Sequence, residues 1–318
     1  MAFRLVPGQP IGHSVRQIGA EQIDRVLPKF SARSKNGNAI HETRKALKRL
    51  RALLNLIKPA MAKSDFRRRE ARLKLIARSL SSVRDIQTMP ATVEKLAADD
   101  PVVGKGPVAA ALMSDLEAKR KAAEKHFDSA SLARTQKLLG QARRDVSSLH
   151  LDGDKDSIDT VTATLKRDYG KARRAFQHAY DSQTDEAFHE WRKYVQRHWR
   201  QLLLIAPSWP KAIRPQIALA RDLAEALGED HDIAVLAAFV AERAKSLGDQ
   251  ADVDAYLDLC RRRQAELRTR ARDMGERLLA EKPSSLAARL RAYWRTAPRL
   301  GEGSEDEPEP SNVIALNR

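Results

Sequence analysis

The chain has 318 residues, 42% of them hydrophobic, so it can bury a sizeable core as one large domain or two smaller ones. Its 58 Lys and Arg against 42 Asp and Glu give a net charge of +16, which indicates a polyanionic or acidic partner. The single cysteine, Cys260, excludes a disulfide framework and a cysteine-based zinc site, and its surroundings predict a buried position. Because no apolar run is long enough to span a bilayer and the N-terminus has no signal pattern, we expect a cytoplasmic protein.

Helix-forming residues dominate the chain, and apolar residues recur at three- and four-residue spacing almost throughout. Alternating β-branched runs are scarce, so the sequence predicts an all-α fold. Turn residues separate the predicted helices at 99–107, 151–157, 207–210 and 246–249.

The clearest break, at 151–157, divides the predicted domain (1–300) into halves of about 5–150 and 157–300. Residues 301–318 are different in composition. They hold five carboxylates against one arginine, a net charge of −4. Because the whole chain has a net charge of +16, residues 1–300 carry +20. Such an acidic segment, rich in Pro and Ser, is predicted to be a disordered tail.

An internal repeat is the strongest signal in the sequence. Residues 40–59 read IHETRKALKRLRALLNLIKP, and residues 188–207 read FHEWRKYVQRHWRQLLLIAP. Nine of these twenty positions are identical without a gap, at an offset of 148. The identical pairs are His41 and His189, Glu42 and Glu190, Arg44 and Arg192, Lys45 and Lys193, Arg49 and Arg197, Leu54 and Leu202, Leu56 and Leu204, Ile57 and Ile205, and Pro59 and Pro207. We infer a duplicated helical unit of about 148 residues.

The similarity continues downstream, where residues 80–86 match residues 227–233 at an offset of 147. This match pairs Arg84 with His231 and Asp85 with Asp232, and it predicts a helix that ends in a turn in both halves. Arg84 is a candidate anion ligand. Asp85 and Asp232 are expected to give structural support, by capping or fixing a helix end through hydrogen bonds.

A helical wheel gives each repeated helix one apolar face and one cationic face. Like charges at this spacing repel each other, so the stripe is mildly costly without an anion. Arg and Lys suit phosphate oxygens, and His can add a donor. A solvated charged face is the simpler interpretation, but it would not need to repeat its residue identities. The candidate ligands are His41, Arg44, Lys45, Lys48, Arg49 and Arg51 in the first copy, and His189, Arg192, Lys193, Arg197 and Arg200 in the second.

The second copy is less regular than the first. Gln196 replaces Lys48, and Trp199 replaces Arg51. These replacements predict that the second copy binds an anion more weakly than the first. His198 occupies the position of the apolar Leu50, so we expect it to be buried. Further candidate anion ligands lie outside the two motifs: Lys74, Lys171, Arg173, Arg174 and Arg221.

The duplicated HExRK helix, followed about forty residues later by an RD-type turn, resembles the CHAD family (conserved histidine α-helical domain). The resemblance implies two four-helix bundles related by internal pseudo-two-fold symmetry around a basic central groove or pore. It also implies non-catalytic binding of inorganic polyphosphate and association with polyphosphate granules. The family's signature histidine falls on His41 and His189, and its basic positions fall on the candidate ligands of the two motifs.

A stand-alone binder without cofactor or metal is expected, because the ExExK motif of the triphosphate-hydrolysing domain fused to some members is absent. Other functions remain open. The same basic groove would also attract the backbone of RNA, although stacking platforms for bases are few. An enzyme is disfavoured, because neither HExxH nor a Gly-rich phosphate loop is present. Basic helices can also lie on anionic lipid.

Overall fold

A computed structural model of the chain describes residues 3–30, 37–80, 84–126 and 129–300. These residues are almost entirely helical and include no β-strand, which confirms the prediction of an all-α fold. None of the helices within them is both long and apolar enough to cross a membrane. The α-helices are α1 (Ile11–Asp24), α2 (Gly37–Leu56), α3 (Lys63–Ser79), α4 (Arg84–Asp99), α5 (Pro101–Gly104), α6 (Pro107–His126), α7 (Ser129–Ser147), α8 (Ile158–Ser182), α9 (Asp185–Ile205), α10 (Pro210–Glu242), α11 (Ala244–Leu247), α12 (Gln250–Leu278) and α13 (Pro283–Leu300).

Most of the predicted breaks lie between helices, and one prediction is wrong. Only a short 3-10 helix, Gly153–Lys155, separates α7 from α8 at the predicted mid-chain break. In the first half, α3 ends and α4 begins at the predicted turn. The corresponding turn at 227–233 does not exist, because α10 runs through it without interruption. Asp232 therefore lies inside a helix and cannot cap a helix end.

Contacts with α12 explain why α10 stays helical across residues 228–232. Asp230 is 2% exposed and accepts hydrogen bonds from the Nε atom of Arg268 (2.8 Å) and the amide of Gln264 (3.3 Å). The adjacent Glu229 accepts from the Nε atom of Arg263 at 2.9 Å. These partners fix consecutive residues of α10 in helical register, and they outweigh the weak helix propensity of Gly228.

Successive helices of the second half pack side by side, α8 on α9, α9 on α10, and α10 on α12. In the first half, α1 contacts α2 and α7, and α3 contacts the same two helices. The buried face of α9 shows why its sequence forms an amphipathic helix. Five residues on this face are at most 1% exposed, and they are spaced by one or two helical turns: Phe188, Trp191, Val195, Leu202 and Ile205. Residues of both halves belong to one continuous core.

Two tyrosine hydroxyl groups join α8 to α12. The hydroxyl of Tyr169 donates to the carbonyl of Leu278 at 3.0 Å, and that of Tyr180 donates to the carbonyl of Arg268 at 2.7 Å. Between them, Gly275 of α12 lies against an aromatic layer, where a methyl group would come within 2.8 Å of Trp191. Aromatic side chains therefore fill the space between α8 and α12 and hold these two helices together.

The N-terminal segment of the first half binds the second half directly. The amide of Leu5 donates to the carbonyl of Leu204, in the last turn of α9, at 2.8 Å. The amide of Gly12, at the start of α1, donates at 2.7 Å to the carboxylate of Asp156, which lies in the connection between the two halves. Leu5 itself is fully buried. The two halves of the repeat are thus joined by contacts other than the chain connection.

Candidate polyanion-binding site

The two repeated helices contact each other, and this brings cations from both halves together. α2 packs against α9, with the apolar face of each helix buried and the basic face at least partly open. Thr184 caps the N-terminus of α9 by accepting a hydrogen bond from the amide of Ala187 at 3.3 Å. The helix thus begins just before the histidine of its motif.

Arg49 of α2 and Arg192 and Arg200 of α9 form a cationic cluster. Burial lowers the pKa of Arg200 to about 10, and the charges of Arg49 and Arg192 contribute in the same direction. Its guanidinium group also lies over the ring of Trp199, 5.3 Å from the centroid. Arginine stays charged at neutral pH, so the fold holds like charges together in a partly buried position.

The two copies of the motif make corresponding contacts. Lys45 pairs with Glu42 at 3.7 Å, and Lys193 pairs with Glu190 at 2.6 Å, where the hydrogen bond lowers the pKa of the carboxyl group. Each motif glutamate therefore holds the motif lysine one turn further along the helix.

The first arginine of each motif reaches the helix that follows. Arg44 donates from Nη1 to the carbonyl of Leu80, at the end of α3, at 3.3 Å. Arg192 lies beside Gly228 of α10, where a methyl group would be 3.7 Å from its Nη2 atom. Since Leu80 and Gly228 occupy nearly equivalent places in the two halves, the repeat extends to tertiary contacts.

The histidines differ between the halves. His41 is exposed, but its ring is partly desolvated by neighbouring atoms. This desolvation, together with the charge of Lys45, lowers its pKa, so it is mostly neutral at pH 7. His189 is half-buried and stacks against His231 of α10, with ring centroids 4.0 Å apart and an angle of 32° between the rings. His231 occupies the position equivalent to Arg84. The structure does not describe the side chains of Arg84 and Asp85.

Two buried polar residues that contact motif arginines were not predicted from the sequence. Gln22 of α1 is 2% exposed and accepts from Nη1 of Arg49 at 3.3 Å. Asp168 of α8, also 2% exposed, lies 3.8 Å from Nη1 of Arg197 and accepts from the amide of Gln201 at 2.8 Å. Neither residue belongs to the repeat motif. The only signal in the sequence that could have indicated them is a polar residue on an otherwise apolar helix face.

The remaining candidates are distributed over a wider surface. Lys48 and Arg51 are exposed on α2. Lys74 pairs with Glu70 at 3.1 Å, and Arg221 pairs with Asp222 at 3.1 Å.

Three candidates lie on α8. Lys171 and Arg173 are half-buried, and Arg174 is exposed. Arg173 and Arg174 line a groove of about 510 Å³ between α8 and the end of α12, together with Glu276 and Pro283. This groove shares no residue with the cationic cluster.

Two other expectations about buried residues are confirmed. His198 is 2% exposed and lies against the ring of Tyr169, with centroids 5.1 Å apart. Cys260 is fully buried. Within the described part of the chain, no three His, Cys, Asp or Glu residues come together in a way that would hold a metal ion.

Comparison with known families gives a match to the CHAD domain over residues 17–241. The chain belongs to the CHAD domain family. CHAD domains are generally binding or structural domains, and the family is associated with polyphosphate binding. A comparison with proteins of curated function gave no match.

Two solved structures share the CHAD fold of this chain. The crystal structure of the CHAD domain from the plant Ricinus communis is 18% identical, with a TM-score of 0.62, and the match covers 88% of this chain and 95% of that one. PptA from Streptomyces chartreusis is 16% identical, with a TM-score of 0.63, and the match covers 86% and 100%. At these identities the likeness concerns the fold alone.

Proposed function

We propose that this CHAD protein binds inorganic polyphosphate, without hydrolysing it, through a basic groove between α2 and α9. The observation that carries the proposal is the cationic cluster of Arg49, Arg192 and Arg200. Its charges repel one another, and the cluster is partly desolvated, as the lowered pKa of Arg200 reflects. A polyanion placed there would relieve the repulsion and accept charge-assisted hydrogen bonds from several side chains.

The repeat supports an arrangement of two four-helix bundles related by a pseudo-two-fold axis, with one basic helix from each bundle facing the groove. The corresponding Lys–Glu pairs and Arg contacts of the two copies favour this symmetry. A linear polymer of identical charged units suits such a site, because both halves can bind the same repeating group. Binding in the cytoplasm, at polyphosphate granules, follows from the same proposal.

The test is binding of fluorescently labelled long-chain polyphosphate, measured by anisotropy at fixed salt. The double variant Arg49→Gln/Arg192→Gln should bind about a hundredfold more weakly, since each lost charge-assisted hydrogen bond contributes about 1.5 kcal/mol. The matched control is Arg67→Gln/Arg270→Gln, which removes the same charge from exposed positions on α3 and α12.

The control variant should bind within threefold of the parent chain. An equal loss in both double variants would mean that net charge, rather than the cationic cluster, determines binding. Circular dichroism should show unchanged helical content in each variant, so that a loss of affinity is not a loss of fold. Phosphate release from polyphosphate, with and without Mg²⁺, should stay at background level; turnover would contradict a purely binding role.

RNA is the alternative ligand, because its backbone phosphates would meet the same cations. Competition of unlabelled RNA and polyphosphate for the labelled probe separates the two. We expect polyphosphate to win at equal phosphate concentration, since it carries more charge per unit length. Displacement by RNA at lower concentration would favour nucleic acid as the ligand.

A further inference from the structure

In each half, a buried polar residue of the first long helix contacts the same arginine of the motif. Gln22 of α1 accepts from Arg49, and Asp168 of α8 lies beside Arg197. Arg49 and Arg197 are equivalent positions of the repeat, 148 residues apart. The supporting residue, however, is a neutral amide in the first half and a carboxylate in the second. A negatively charged supporting residue therefore lies beside this arginine in the second half only.

Asp168 is built into the fold rather than placed on the surface. It is 2% exposed, and one of its oxygens accepts from the amide of Gln201 at 2.8 Å. The other oxygen accepts from the Nε atom of Arg167 at 3.2 Å and lies 3.8 Å from Nη1 of Arg197. Arg197 itself is about one-third exposed, so its outer side remains open to a ligand.

We propose that Asp168 tunes the affinity of the second half, because its carboxylate competes with the bound polyanion for Arg197. This inference rests on the proposed function. An anion that contacts the open side of Arg197 would lie about 7 Å from the Asp168 carboxylate, since a charge-assisted contact of about 3 Å adds to the existing pair. At that distance, in a partly solvated site, the repulsion weakens binding by about two- to tenfold at low salt.

A purely structural role for Asp168 predicts the opposite effect. If the carboxylate only positioned Arg197, its removal would loosen the arginine and weaken binding. Asparagine has nearly the same shape and can still accept the hydrogen bond from Gln201, but it removes the negative charge beside Arg197. The variant Asp168→Asn is therefore expected to bind polyphosphate more tightly, even if it is less stable.

The experiment compares Asp168→Asn with Asp181→Asn in the anisotropy assay with long-chain polyphosphate. Asp181 is exposed near the end of the same helix, so its variant has the same change in net charge. Asp168→Asn should bind two- to tenfold more tightly at low salt, and the gain should shrink as salt is added. Asp181→Asn should change affinity by less than about 1.5-fold. Weaker or unchanged binding in Asp168→Asn would overturn the inference.

A second pair of variants makes the result independent of how well Asp168→Asn folds. Gln22→Glu places a carboxylate beside Arg49 and should weaken binding by a similar factor, while Gln177→Glu, exposed on α8, serves as its control. In an Arg197→Gln background, Asp168→Asn should give a smaller gain, because the anion is then no longer held beside Asp168. If the parent chain binds no polyphosphate, the proposed function fails; if it binds and these variants do not differ from their controls, only the role of Asp168 fails.

Discussion

Replacing His198 with leucine should reduce the loss of stability that the protein undergoes at acid pH. His198 is buried in α9, and burial, with a smaller contribution from the charge of Arg289, lowers its pKa to about 4. An unfolded chain has a histidine pKa of about 6.5. Leucine is a suitable replacement because Leu50, at the equivalent position of the first half, is also buried.

The sign and size follow from proton linkage. At pH 7 the histidine is neutral in both states and contributes little pH dependence. As the pH falls below 6.5, the unfolded chain binds a proton that folded His198 does not bind, so the free energy of unfolding decreases. With these two pKa values the loss reaches ~2 kcal/mol at pH 5 and about 3 kcal/mol below pH 4.

Urea denaturation, followed by circular dichroism at pH 7, 6 and 5, measures this effect. The difference in unfolding free energy between pH 7 and pH 5 should be smaller by ~2 kcal/mol in His198→Leu than in the parent chain. Comparing each protein with itself cancels any change in packing. His178→Gln, which alters an exposed histidine on α8, should retain the parent's pH dependence. If His198→Leu retained it too, the buried imidazole would not be the group that titrates.

Two further predictions concern packing and buried charge. Gly275→Ala should lower the unfolding free energy by about 1–3 kcal/mol, because the new methyl group would come within 2.8 Å of Trp191. Gly140 has open space around it, so Gly140→Ala should raise the unfolding free energy by about 0.5–1 kcal/mol. Urea denaturation that ranked both variants on the same side of the parent would contradict this reasoning. Arg268→Ala should cost about 3 kcal/mol, since it leaves the buried carboxylate of Asp230 without its cation. A midpoint within a degree of the parent in thermal unfolding would show that the pair contributes little.

The sequence was most informative where the repeat constrained it. Identical residues at an offset of 148 identified the two repeated basic helices, and in the fold α2 packs against α9. The alignment of His198 with Leu50 predicted a buried histidine. Both inferences depend on the hydrophobic pattern of one helix and its copy, which is local information that a single sequence contains.

Features that depend on contacts between distant segments were not predictable in the same way. The match of residues 227–233 to a turn in the first half suggested a second turn, but contacts of Asp230 and Glu229 with α12 keep that segment helical. Gln22 and Asp168 belong to helices outside the motif. Their relation to Arg49 and Arg197 exists only after the helices pack.

The hydrogen bond between Leu5 and Leu204 limits how the protein can be divided into fragments. A fragment that starts at residue 157 would leave the carbonyl of Leu204 without its donor and would lose the buried side chain of Leu5 from the core. A single repeat expressed alone would therefore be incomplete at one end. The segments on either side of residues 151–157 depend on each other for their folded ends, so domain dissection must keep residues 3–300 together.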